Sequence, residues 1–238
     1  MKSSNHDLLI IAELPVLVVY GGDDGVQEGE CQVVDLLSGR RCEKFVKYPL
    51  EARFIAGGLL DKTPVVCGGY LYSNGKASSS KQCFMYDHNA HLWKLHAYLP
   101  TGRYFHAALA VGDKLWITGG EGGGDLRSTE YVFANKSVIK GPYLPWSRSR
   151  HCMADLLDGR YMFIGGYSKT VDIYDSSQSS FTRGPNLLSE RTNSACTVFR
   201  SPMHGNRPIV IVAGGYSGER SVEMLDYTNK AAKWERCK

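Results

Sequence analysis

The sequence predicts an all-β protein: a propeller of five four-stranded antiparallel blades around a central channel. Three observations carry this. A Gly-Gly pair follows a short apolar run five times, at Gly21-Gly22, Gly68-Gly69, Gly119-Gly120, Gly165-Gly166 and Gly214-Gly215. The first glycines of these pairs stand 47, 51, 46 and 49 residues apart, and self-similarity at a period near 50 marks a propeller array, one supersecondary unit per repeat. Each repeat also holds apolar runs of strand length, rich in β-formers and bounded by turn residues. An aromatic pair seven residues apart then brackets the third and fourth strands of three repeats: Tyr86 and Trp93, Tyr174 and Phe181, Tyr227 and Trp234. The first and third repeats lack it.

The predicted blades span about residues 5–48, 53–100, 103–145, 150–185 and 191–234, within a single domain. The third shows the unit most clearly. Its first apolar run is 104–111, Gly112-Asp113 turns the chain, and 115–118 is the second run. After a glycine-rich loop, 128–133 and 137–140 read as the third and fourth strands. In the first blade, 6–12 reads as the opening strand and 16–20 as the second. Pro64 stands at the start of a strand, where a missing N–H costs little. The last blade carries an insertion, residues 200–207, between its first two strands. No single blade can bury both faces, so an unbroken repeat implies one closed body.

Composition narrows the function. The chain has 238 residues and a net charge of +4, and 43% of its residues are apolar. No basic run of five or six residues occurs, so no nucleic-acid footprint is expected, while acidic partners are allowed. No apolar run approaches the length of a membrane-spanning helix. Leu8-Leu9-Ile10-Ile11-Ala12 is preceded by Asp7 and interrupted by Glu13, and no small-residue cleavage site follows, so it is read as a strand and not a leader. The seven cysteines are odd in number and form no C-x-x-C. They are expected to be small buried hydrophobes of a reducing, cytoplasmic compartment, with no disulfide framework and no zinc site.

In a meander, successive turns alternate between the two ends of the strands. The segment leading into the first strand and the loop between the second and third strands therefore share one face, at the mouth of the channel. Four blades place a basic residue in that lead-in segment: Arg53, Arg103, Arg150 and Arg191, with Arg148 close by. Tyr70, Tyr167 and Tyr216 follow their glycine pairs on the same face, where the other blades offer Asp23 and Glu121. Guanidinium forks bind carboxylates bidentately and tyrosine adds rigid contact area, so the set suits an acidic peptide. The competing structural role is one arginine per repeat bonding backbone carbonyls of the next blade. His106 belongs to the repeat's own pattern and is read first as a structural histidine.

The glycine pairs, the Tyr-to-Trp spacing and pieces such as Arg103-Tyr104-Phe105-His106-Ala107-Ala108 and Gly214-Gly215-Tyr216 resemble the kelch repeat, over essentially the whole chain. The resemblance implies a β-propeller similar to the kelch domain of BTB–kelch adaptor proteins. Such domains bind short peptide segments on this face, often through arginines, and recruit substrates to cullin-type ubiquitin ligases. That role calls for a BTB domain, which this sequence does not contain. Two departures stand out. Kelch propellers usually have six blades, where five are counted here, and many close the ring with a blade built from both chain ends, where each blade here is local.

Other chemistry is weakly supported. The loop 119–125 has the composition of a phosphate cradle, but a strand and not a helix N-terminus follows it. His88, His91 and His96 have no fixed common face and no completing ligand set, so no metal is expected. Asp23-Asp24-Gly25 lacks the alternating oxygen ligands of a calcium loop. No nucleophile elbow occurs. The expected function is a non-catalytic module, without cofactor, that binds a protein or peptide at the arginine-lined mouth. The alternatives are an actin-binding or cytoskeletal scaffold using blade edges and, from a different class, a sugar-isomerising enzyme.

Overall fold

The computed structural model describes residues 16–20, 31–35, 46–73, 75–124, 126–216, 220–229 and 231–237. The chain divides into two compact units, Met1–Gly141 and Pro142–Lys238. Among the described residues every sheet is antiparallel: four have four strands, one has three and one has two.

The first unit opens with β1 (Val16–Tyr20) paired to β2 (Cys31–Asp35). These are the expected second and third strands of blade one. Its opening strand 6–12, its fourth strand 41–45, Asn5 and Asp23 lie outside the described residues. Next come β3 (Ala52–Arg53), β4 (Ala56–Leu60), β5 (Thr63–Cys67), β6 (Tyr70–Ser73), β7 (Lys76–Ser79), β8 (Gln82–Asp87) and β9 (Leu92–Tyr98). Blade two is the sheet β4-β5-β8-β9. The loop between its second and third strands is itself a hairpin, β6–β7, and β3 pairs with it to make the three-stranded sheet. Blade three is β10 (Ala107–Val111), β11 (Lys114–Thr118), β12 (Thr129–Phe133) and β13 (Val138–Lys140).

The second unit holds blade four as β14 (His151–Asp155), β15 (Arg160–Gly165), β16 (Val171–Asp175) and β17 (Ser180–Arg183). Blade five is β18 (Ala195–Ser201), β19 (Arg207–Ala213), β20 (Val222–Leu225) and β21 (Glu235–Arg236). The insertion between β18 and β19 lengthens both strands and is capped by a 3-10 turn, Pro202–His204.

Second strands show why the apolar runs are continuous where a half-exposed strand would alternate. Leu115, Trp116 and Ile117 of β11 are all fully buried, as are Met162, Phe163 and Ile164 of β15. A sheet covered on both faces needs apolar side chains pointing both ways. One core cluster joins blade two to blade three through Leu60, Val65, Leu115, Ile117 and Val132. Another joins blade four to blade five through Met162, Ile164, Val171, Val210 and Leu225. The first strands of neighbouring blades lie side by side, β4 with β10 and β14 with β18.

The aromatic pairs have a plain structural use. Tyr86 stands directly opposite Trp93, and Tyr174 opposite Phe181, across their hairpins. Trp93 Nε1 donates to the Val46 carbonyl at 3.3 Å and Trp234 Nε1 to the Pro185 carbonyl at 2.9 Å. In both cases the indole ties down a segment that leads into its own blade.

The cysteines depart from expectation. Cys67 and Cys83 face each other across β5 and β8, with Cα atoms 4.0 Å apart, and form a disulfide. A second disulfide, Cys152–Cys196, joins β14 to β18 with Cα atoms 5.9 Å apart. Cys237 is exposed and unpaired. The apolar setting seen in the sequence is present, but strand register brings two pairs of sulfurs together within it.

Candidate functional site

Within each unit, backbone pairing places the lead-in segments and the post-glycine loops on one face. Arg53 pairs with Tyr70 across β3 and β6, and bridges join Tyr104 to Glu121 and Ser168 to Arg191. Neighbouring lead-in segments are tied to one another by main-chain hydrogen bonds. Phe105 N donates to the Phe54 carbonyl at 3.1 Å, and Asn193 N to the Arg150 carbonyl at 3.0 Å. All four residues have positive φ, between 52° and 57°, an uncommon conformation for side-chain-bearing residues. That shared feature aligns the repeats: Phe54, Phe105, Arg150 and Asn193 are equivalent.

With this alignment the four predicted arginines fall into different positions. Arg103 and Arg191 occupy the place two residues before the positive-φ residue, and so does Arg148. Ala52 stands there in blade two. Arg53 is one residue later and Arg150 two residues later.

The three equivalent arginines are buried in sockets of one plan. Arg103 and Arg191 are both 0% exposed. Arg103 Nη1 donates to the carbonyls of Gly119 (2.7 Å) and Ser128 (3.1 Å), and Nη2 to Ser128 Oγ (3.0 Å). Its Nη2 also lies 2.5 Å from Glu130 Oε2. Arg191 Nη1 donates to the carbonyls of Gly214 (2.6 Å) and Ser221 (3.1 Å), and Nη2 to Ser221 Oγ (2.9 Å) and Glu223 Oε1 (2.8 Å). Arg148 donates to the carbonyls of Gly165 and Thr170, to Thr170 Oγ1 and to Asp172 Oδ2. Each socket is the first glycine of the pair, a Ser or Thr, and an acid two residues further on. Burial disfavours charge on Arg103 and on Glu130, and each supplies the opposing charge that the other requires.

Arg103 and Arg191 are therefore corrected from partner-binding candidates to internal struts. They brace their own blades, where the structural alternative had placed them against the next one. Blade two replaces the whole device with apolar residues: Ala52 and Phe84 stand in place of arginine and acid, and both belong to one core cluster. The sequence carries this signal as Ser128-Thr129-Glu130, Thr170-Val171-Asp172 and Ser221-Val222-Glu223, against Gln82-Cys83-Phe84.

His106 is also internal. Burial first, then the Arg103 charge, hold its pKa down at about 3, against a backbone bond to Cys67 that acts the other way. The unfolded imidazole titrates near its ordinary value of about 6.5. Between those values the folded state binds fewer protons, so the His106 contribution is fully present above pH 6.5 and is lost as pH falls toward 3. Each pH unit in that window removes up to about 1.4 kcal/mol. Urea unfolding at pH 6.5 and pH 5 is expected to show this loss in the parent protein and a smaller one in His106→Leu.

The remaining candidates are exposed or half-buried. Tyr167 is 60% exposed and the Arg150 guanidinium lies 5.2 Å from its ring centroid. Tyr216 is 53% exposed. In the first unit Arg53 and Tyr70 are half-buried beside aromatic residues that the sequence had not singled out. Phe54 stacks on Phe105 with centroids 3.8 Å apart, and Tyr70 meets Tyr104 edge-on at 5.2 Å. The second unit thus sets an arginine against an aromatic ring on its lead-in face, and the first pairs Arg53 with Tyr70 in strand register beside an aromatic cluster.

His91 Nδ1 is 3.4 Å from Tyr86 Oη, while His96 Nε2 donates to the Phe133 carbonyl at 2.8 Å. No cluster of three or more His, Cys, Asp or Glu residues suited to a metal occurs among the described residues. No helix among them is long and apolar enough to cross a membrane.

No protein-family model matches the chain. Among curated proteins it is similar to kelch-like protein 36 of Mus musculus, 25% identical over 166 residues that cover 62% of this chain and 26% of that protein. Kelch-like protein 36 of Rattus norvegicus is 24% identical over the same shares, and that of Bos taurus is 23% identical over 146 residues. The chain thus spans about a quarter of the length of the curated relatives it matches. Weak sequence similarity and four-stranded antiparallel sheets at the kelch period agree on a kelch-repeat fold.

Proposed function

We propose that the protein is a non-catalytic kelch-repeat interaction module that binds an acidic protein segment on its lead-in face. The observation that carries this is the pairing of Arg150 with the largely exposed ring of Tyr167. In the first unit Arg53 and Tyr70 supply the same two residue types as cross-strand partners. A half-buried guanidinium against an aromatic ring offers a directed fork to a carboxylate, and the ring supplies area with little side-chain entropy to lose. The net charge of +4 favours an acidic partner. Similarity to kelch-like proteins supports a protein as the ligand. Recruitment of that ligand to a cullin-type ligase would require a BTB domain and is the role we infer for a longer assembly.

A peptide array graded in Asp and Glu content tests this. Acidic peptides are expected to be retained, less so at high salt. Arg150→Ala and Tyr167→Ala should each weaken the best peptide at least tenfold, about 1.4 kcal/mol. Equal retention of neutral and acidic peptides, or no loss in either variant, would refute the assignment.

A further inference from the structure

The two disulfides differ in setting. Cys67–Cys83 lies within one sheet, and both residues are fully buried. Cys152–Cys196 joins the first strands of two different sheets, and both residues are only half-buried. β14 and β18 share no strand hydrogen bonds, so this bridge is a covalent tie between blades. It also sits just beyond the lead-in segments. Cys152 is two residues from Arg150 and Cys196 three from Asn193, and Asn193 N donates to the Arg150 carbonyl. The first unit has the equivalent hydrogen bond, Phe105 N to the Phe54 carbonyl, with no disulfide between β4 and β10.

We propose that Cys152–Cys196 is a reversible thiol–disulfide site that sets the order of the lead-in segment carrying Arg150. Its value for partner binding rests on the site proposed above, whereas its chemistry does not. An external dithiol attacks one sulfur and breaks the Sγ–Sγ bond. Two electrons and two protons pass to Cys152 and Cys196, and the dithiol leaves as its own disulfide. A small-molecule disulfide of the glutathione type reverses the step, taking up the two electrons as two thiols are released. Half-exposure gives such reagents access that Cys67–Cys83 denies them. Closed, the bridge holds the two lead-in segments together. Open, it leaves their register to the Asn193–Arg150 hydrogen bond and side-chain packing.

The folded chain is treated with dithiothreitol at neutral pH, and thiols are alkylated and located by peptide mass. Cys152 and Cys196 are expected to be labelled while Cys67 and Cys83 are not, and oxidised glutathione should restore the bridge. Amide hydrogen exchange is measured in parallel. Exchange at Asn193 should quicken about tenfold or more on reduction, with Phe105 unchanged as the internal reference. Cys152→Ser/Cys196→Ser should match the reduced protein; if it fails to fold, the reduced parent still gives the measurement. Labelling of Cys67 and Cys83 first, no labelling of Cys152, or unchanged exchange at Asn193 would overturn the proposal. None of these outcomes depends on peptide binding, so loss of the interaction site by the Arg150→Ala test would leave this result standing.

Discussion

Replacing Glu223 with alanine is expected to cost the second unit about 3–5 kcal/mol, the loss that follows from removing one partner of a buried ion pair. Glu223 is fully buried and accepts from four groups: Leu188 N at 2.7 Å, Ser189 N at 3.3 Å, and Arg191 Nε and Nη2 at 3.1 and 2.8 Å. Alanine leaves two amides without that acceptor and a guanidinium charge enclosed among neutral groups. The effect should be strongly non-additive with its partner. Arg191→Ala/Glu223→Phe copies the Ala52 and Phe84 of blade two and removes both charges together. It should cost less than the two single changes summed, by about 0.5–3 kcal/mol. Urea unfolding followed by the fluorescence of Trp234, which is buried in the same unit, gives all these values. A loss below about 1 kcal/mol for Glu223→Ala would show that the strut contributes little.

Gly166→Ala is expected to cost about 2–5 kcal/mol. Gly166 has φ of +84°, and a Cβ there would stand 2.3 Å from the Ser149 carbonyl oxygen. The left-handed backbone costs about 1–2 kcal/mol for a side-chain-bearing residue, and overpacking against fixed backbone about 1–3 more. The neighbourhood cannot simply yield, because Gly166 N also donates to the Arg191 carbonyl at 2.8 Å. Gly112→Ala separates the two contributions. Gly112 has φ of +60° with nothing within 4 Å of its Cβ position, so only the backbone share, about 1–2 kcal/mol, should be lost there. Equal losses at both positions would refute the close-approach explanation. Thermal and urea midpoints of the two variants provide the comparison.

These two changes probe features of unequal visibility in the sequence. The Gly-Gly pairs are legible because, among the described residues, the second glycine of each pair (Gly69, Gly120, Gly166 and Gly215) combines positive φ with a close approach, and only glycine meets both demands. The strands were legible for a similar reason, since two-sided burial forces runs such as Leu115-Trp116-Ile117. The hairpin β6–β7 was not, because Tyr70–Ser79 sits in a loop whose pairing with β3 depends on a two-residue strand. The arginines were legible as a set but not in register. Lead-in segments have no periodicity to count along, so sequence position alone groups Arg53 and Arg150 with Arg103 and Arg191 and sets Arg148, the true equivalent, beside them. The companion signal is the Ser/Thr-x-acid triplet after the glycine loops of blades three, four and five, whose acid supplies the counter-charge of the buried guanidinium. The disulfides were out of reach, because Cys67 meets Cys83 only once strand register is fixed, and Cys152 meets Cys196 only once two blades are packed.

The division of the arginines into struts and partner-facing residues is tested most directly by one paired measurement. Acidic-peptide affinity and thermal midpoint are determined for Arg53→Ala/Arg150→Ala and for Arg103→Ala/Arg191→Ala, each against the parent. The first variant should keep a midpoint close to the parent's and lose affinity; the second should show a large drop in midpoint, as buried Glu130 and Glu223 are left without their counter-charges. A first variant that binds normally, or a second that stays fully stable while losing the peptide, would contradict the division.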